Sequence, residues 1–194
     1  MSKQNLTKLN KEDLDKVISF LNDGDSKKAI KSVNALINRF PKNALLYNFQ
    51  GVCYEAEGNL DFSIACFKRA VLLNPNYAEA FYNLGNANYS LNRKEIALKN
   101  FSQALKINPN YAEAYNNLGT ALRELGELKS AIFNFEKALS LNSKYYKALI
   151  NLAKASHQSL ESSEALVILK DAMKLDQKRY EAYETMGLIL RKSG

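Results

Sequence analysis

Asn83, Asn117 and Asn151 stand 34 residues apart, with Asn86 and Asn116 close beside them. Each carries a carbonyl acceptor and an amide donor, which can engage a peptide backbone but cannot make or break bonds. Groups suited to covalent chemistry are sparse. His157 is the one histidine in the chain and sits beside Gln158, where a solvated or groove-lining role fits it. There is no glycine-rich phosphate loop, and no Ser-His-Asp set assembles from the spacing. Glu124 and Glu127 lie at helix spacing and read as a charged face. Cys53 and Cys66 are too few for a disulfide framework and lack metal-ligand spacing, so they read as buried, reduced thiols. The chain is expected to hold no catalytic residues, no metal and no cofactor, and to work by non-covalent binding.

These asparagines are placed by a repeat. Residues 112–145, moved back by 34, fall on residues 78–111 with their alanines, Leu-Gly, Ala-Leu and closing tyrosine in register. A period in this range means a helical repeat array in which each unit buries its apolar face against its neighbours. The same frame divides the chain into a flexible N-terminus at 1–9, a degenerate capping repeat at 10–43, and repeats at 44–77, 78–111, 112–145 and 146–179. Residues 180–194 are then the first helix of a further repeat or a C-terminal cap. Within each unit, apolar residues recur at helical spacing in two blocks joined by a short polar turn. Gly126 stops one such block, and Asn-Pro-Asn at 74–76 and 108–110 closes another, because proline cannot continue a helix.

Composition is compatible with this reading. Hydrophobic residues make up 46% of the chain, which excludes wholesale disorder, and three prolines leave little room for linkers. The opening stretch has no apolar segment of the secretory type, and no run of about 18 apolar residues occurs, so a cytoplasmic, non-membrane chain is expected. The formal charge of +7 is uneven: residues 1–43 hold nine Lys/Arg against five acids, whereas 112–145 is balanced. A lysine excess of this size reads as a solvated face that can steer acidic partners, and nucleic-acid binding is not expected.

The residues at matching places in the units resemble the tetratricopeptide repeat, a 34-residue helix–turn–helix unit. The large residue near the unit's start is Tyr47, Phe81 and Tyr115, and the glycine that follows is Gly51, Gly85 and Gly119. The aromatic of the second helix is Phe67, Phe101 and Phe135, followed by Ala70, Ala104 and Ala138, and the closing proline is Pro41, Pro75 and Pro109. Departures are Gln50 for leucine, Ser63 for alanine and Gln177 for proline, the first two expected to weaken the core of the unit at 44–77. The resemblance implies an all-α, right-handed α-solenoid (superhelix) of stacked antiparallel helix pairs, with first helices lining a concave groove.

On that resemblance the groove presents Asn83, Asn117 and Asn151 as a ladder with Asn86 and Asn116 beside it. Tyr82, Tyr89, Arg123, Lys147 and Lys154 stand around them, with Glu79 and Glu113 at the edge. Such a ladder is similar to the repeat arm of O-linked N-acetylglucosamine transferases, where it grips extended substrate segments. The asparagines could equally bond a neighbouring turn and touch no ligand. The lysine of the family's carboxylate clamp is missing, since its place holds Leu14, Asn48, Tyr82, Asn116, Ile150 and Glu184. The leading expectation is a protein–protein interaction scaffold that takes a peptide or protein segment. One alternative is the substrate-recognition arm of a larger transferase-type enzyme whose catalytic domain lies beyond residue 194. A lesser one is an RNA-binding helical repeat. Oligomeric state is not encoded in any pattern found.

Overall fold

The computed structural model describes residues 9–160, 162–175 and 180–193. All but the last residue of the expected flexible N-terminus, and also Gln177 and Gly194, lie outside them. The expected all-α class is what the structure has: the described residues form eleven helices and no strand. The chain divides into two compact units, residues 1–93 and 94–194.

The first unit contains α1 (Lys11–Asn22), α2 (Ser26–Arg39), α3 (Ala44–Ala56), α4 (Leu60–Leu73) and α5 (Ala78–Ser90). Each helix packs on the next, and α3 also touches α5. Helix starts are set by side chains that accept from otherwise orphaned backbone N–H groups. Asn10 caps α1 through Asp13 N at 2.8 Å, Asp25 caps α2 through Lys28 N at 3.0 Å, and Asn59 caps α4 through Phe62 N at 3.3 Å. Val17, Ala29, Val33, Leu36, Leu46 and Cys53 form one core cluster, on which Leu9 packs. Ile64, Phe67, Leu84 and Ala87 form another.

The second unit contains α6 (Lys94–Ile107), α7 (Ala112–Glu124), α8 (Leu128–Leu141), α9 (Tyr146–Gln158), α10 (Ser162–Leu175) and α11 (Tyr180–Ser193). Consecutive helices again pack together, and the first helices α7, α9 and α11 meet side by side. Leu122, Ala131, Phe135, Leu152 and Ala155 fill one cluster; Tyr146, Ile150, Ala153, Ala165, Leu169, Ala172, Ala182 and Ile189 fill the other. On α11, Met186 packs against this second cluster while Tyr183 and Leu190 are exposed.

Close helix crossing explains the recurring glycine and phenylalanine. A Cβ on Gly119 would lie 2.8 Å from the fully buried ring of Phe135, and one on Gly51 would lie 2.4 Å from that of Phe67. Interiors packed like organic crystals leave no room for that extra carbon. Nothing lies within 4 Å of the corresponding position on Gly187 of α11.

The turn inside each helix pair also repeats. Gly24, Gly58, Asn92, Gly126 and Leu160 have φ of 74°, 79°, 57°, 83° and 71°, one left-handed residue every 34. At the first four of these turns the residue after it sends its N–H back to a carbonyl of the helix, as in Asp25 to Phe20 at 2.8 Å and Glu127 to Leu122 at 3.0 Å, closing the helix end. Leucine at the last of these places carries a Cβ penalty that glycine avoids, and its side chain is 92% exposed, so packing does not offset the penalty. Leu160→Gly is expected to stabilise the protein by about 1 kcal/mol, read as a rise in melting temperature by circular dichroism; an unchanged or lower value would contradict it.

The two substitutions in the unit at 44–77 have different outcomes. The Ser63 hydroxyl is fully buried and has no hydrogen-bond partner, as a weakened core would have it. Gln50, by contrast, accepts from the Cys66 thiol at 3.1 Å and donates to Asn34 Oδ1 at 2.7 Å, so both ends of its amide are used.

Candidate groove on the first helices

In the first unit the candidate residues lie on α5. Tyr82, Asn86 and Tyr89 follow one another at i, i+4 and i+7, which puts them on one face with Asn83 beside it. All four are half-buried. Asn83 Nδ2 donates to Asn48 Oδ1 on α3 at 3.0 Å. Asn48 is only 2% exposed, and its Nδ2 lies 3.2 Å from Tyr77 Oη and 3.3 Å from Glu79 Oε1. Glu79 at the groove edge is thus tied to the helix behind it.

In the second unit α7 carries Asn116, Thr120 and Arg123 at the same spacing, and α9 carries Lys147, Asn151 and Lys154. Asn151 Nδ2 donates to Asn116 Oδ1 at 2.9 Å and reaches Thr120 Oγ1 at 3.3 Å; Asn116 Nδ2 donates to Asn117 Oδ1 at 3.0 Å. Asn116 is wholly buried and Asn151 is 8% exposed. These two therefore spend their amides joining adjacent repeats. For Asn116, expected beside the ladder, the burial matches the alternative of structural bonding, because buried amides must bond to protein when water is shut out. Asn117 is half-buried.

The cations differ from one another. Lys147 is exposed, whereas Lys154 Nζ is paired with Glu181 Oε1 at 3.0 Å. Arg123 is half-buried, and its Nε is buried without any hydrogen-bond partner. A buried guanidinium N–H left unbonded is costly. Glu113 is exposed.

Asn48 and Thr120 are the contributors that the sequence reading missed. The signal was available: Asn48 precedes Asn83 by 35 residues and Asn116 precedes Asn151 by 35, one more than the period. That offset pairs side chains on neighbouring first helices.

Groups outside the groove are occupied or hidden. His157 Nδ1 lies 2.9 Å from Ser162 Oγ, across the turn between α9 and α10. Cys53 and Cys66 are buried and unpaired, as expected of reduced thiols. Among the described residues no His, Cys, Asp and Glu group could hold a metal ion, and no helix is long and apolar enough to cross a membrane.

Burial pushes the thiols of Cys53 and Cys66 up to about 11 from an ordinary 9.0, and the Tyr77 hydroxyl up to about 12 from 10.0. Below the ordinary values all three groups are protonated whether the chain is folded or not, and stability is unaffected. As pH rises past 9.0 the unfolded chain ionises first, so folding stability is lost progressively toward 12. Urea midpoints should fall across that alkaline range, and Cys53→Ala with Cys66→Ala should flatten the decline. An unchanged slope in the double variant would contradict the assignment.

Comparison with known proteins fits this geometry. The "TPR repeat" profile matches residues 51–92 and 85–122, and "Tetratricopeptide repeat" profiles match 14–62 and 112–145. Together they span 14–145, about two-thirds of the chain. A crystal structure of MamA is similar at 28% identity and TM-score 0.75, over 82% of this chain and 94% of that one. MamA 41-end from Desulfovibrio magneticus RS-1 is similar in fold at 19% identity and TM-score 0.77, over 88% and 96% of the two chains. YrrB, described as a TPR protein with an unusual peptide-binding site, is similar in fold at 19% identity and TM-score 0.72, over 87% of each chain. No curated protein sequence matches the chain. Helix pairs stepping by 34 residues, the glycine–phenylalanine crossings and the matching profiles together show that this chain belongs to the tetratricopeptide-repeat family.

Proposed function

We propose that this chain is a protein–protein interaction scaffold whose first-helix face binds a carboxylate-bearing segment of another protein. The observation that carries the reading is Arg123: its buried Nε lacks an acceptor, on a helix that packs against the one bearing exposed Lys147. A partner carboxylate would complete the guanidinium's hydrogen bonding and meet a second positive charge. In the first unit, Tyr82 and Tyr89 of α5, with Asn86 between them, offer a separate contact surface of aromatic area at low entropic cost. The peptide-binding site named for YrrB supports the same class of role by analogy of fold.

The proposed setting is the cytoplasm, where buried Cys53 and Cys66 stay reduced. We assign this segment no reaction of its own. A substrate-gripping arm like that of O-linked N-acetylglucosamine transferases gains no support from Asn116 and Asn151, whose amides bond each other.

The test is a displayed library of random dodecapeptides selected against the full chain, with affinities then measured by titration. Selected peptides should be rich in Asp and Glu, and Arg123→Glu with Lys147→Glu should weaken them at least about tenfold, or 1.4 kcal/mol. Binding that is indifferent to both charge reversals would contradict the proposal. So would selective capture of single-stranded RNA whose affinity falls steeply with salt.

A further inference from the structure

A stripe that α7 buries is left open on α11. On α7, Ala112, Tyr115, Gly119 and Leu122 lie along one face at helical spacing, and all four are buried or half-buried. α8 packs on that helix, with the Phe135 ring seated at Gly119. Two periods later α11 repeats the stripe as Tyr180, Tyr183, Gly187 and Leu190, and all four are exposed. α11 meets α9 and α10 through its other side, where Ala182, Thr185 and Ile189 are buried. The hole at Gly187 is therefore formed but unfilled, with nothing within 4 Å of a Cβ built there.

The open stripe is complementary to itself. Tyr183 is a large knob one turn, about 6 Å, before the hole at Gly187. A two-fold axis crossing the helix at the level of Thr185 exchanges positions 183 and 187, and it also exchanges 180 and 190. Two copies of α11 laid antiparallel about that axis set each Tyr183 ring into the other's glycine hole and each Tyr180 onto the other's Leu190. The same arrangement directs the half bearing Glu181 and Glu184 toward the partner's half bearing exposed Arg191, so unlike charges approach. Parallel pairing in the same register sets tyrosine against tyrosine and leaves both holes empty.

We infer that the exposed face of α11 is a self-association site, on which α11 of a second copy of this chain packs antiparallel with Tyr183 in the Gly187 hole. An isologous contact of this kind closes at two copies and cannot propagate. One helix on one helix is smaller than a standard interface of about 1,600 Å², so the dimer is reversible, with a dissociation constant on the order of micromolar.

The test is analytical ultracentrifugation of the full chain over a concentration series, with Gly187→Leu beside the wild type. Leucine adds apolar surface without a clash inside the monomer, so unspecific sticking would tighten, whereas a knob-in-hole dimer should weaken at least about tenfold. Register is read by mixing Tyr180→Cys and Leu190→Cys chains with a short bis-maleimide. Mixed pairs should cross-link, and like pairs, about 15 Å apart along the antiparallel helices, should not. The chain's own Cys53 and Cys66 are buried. Dimers that Gly187→Leu leaves unweakened, growth beyond two copies, or cross-links between like pairs would each overturn the inference. A chain that stays monomeric at every concentration would also overturn it, and would leave the face to a helix of another protein.

Discussion

Gly119→Leu is expected to lower the melting temperature by about 10 °C, following a cost of about 3 kcal/mol for overpacking a filled crossing. Even the first added carbon would sit 2.8 Å from Phe135 Cε1 and 3.1 Å from the Ala131 carbonyl oxygen. The Phe135 ring is fully buried and cannot swing into solvent, and the second contact is backbone. The helices α7 and α8 must therefore separate, and every apolar contact along the pair weakens with them. Gly187→Leu is the control, since a Cβ there meets nothing within 4 Å. Equal melting temperatures for Gly119→Leu and wild type would show that α7 and α8 do not cross where the structure puts them.

Asn151→Ala is expected to cost about 1–3 kcal/mol, because it strips the donor from the wholly buried Asn116 carbonyl oxygen. Asn116→Ala should cost a similar amount, and the double variant less than the sum of the two, since each single change leaves the other side chain unsatisfied. Asn117→Ala, at a half-buried position, should cost less in a chemical-denaturation series. Additive costs for Asn116→Ala and Asn151→Ala would mean that the bond between the two repeats contributes nothing.

Much of the fold was legible in the sequence because repeat positions constrain backbone and packing together. Glycine opposite phenylalanine marks a close crossing, and the pairs Gly51–Phe67 and Gly119–Phe135 meet as their spacing implies. Asn-Pro-Asn marks the end of a second helix, and Asn74 and Asn108 each accept from the backbone N–H two residues on at 3.1 Å. The last turn of the series was not legible. Leu160 adopts the left-handed conformation that glycine fills at three of the other turns and Asn92 at the fourth, because the flanking helices α9 and α10 dictate the turn and leucine must follow.

The proposed binding face could be named from sequence spacing, but the hydrogen bonds its asparagines make could not. Spacing put Asn83, Asn117 and Asn151 at equivalent places, yet it could not say that Asn151 would be buried while Asn83 and Asn117 remained half-buried. Burial depends on the residue that the neighbouring helix brings up. Asn116 and Thr120 meet Asn151 and absorb its donor, a pairing between side chains on different helices that a single-residue pattern does not display. Arg123 shows the converse: the sequence marked it as a groove cation, and only the packed structure shows its Nε without an acceptor.

The most direct test of the binding face is amide hydrogen exchange on the full chain with and without a selected acidic dodecapeptide. The account predicts that protection rises in α7 and α9 around Asn117, Arg123 and Lys147, and that Arg123→Glu removes the change. Protection confined to the second helices, around exposed Phe62 on α4 and Phe133 on α8, would place the partner on the opposite set of helices and contradict it.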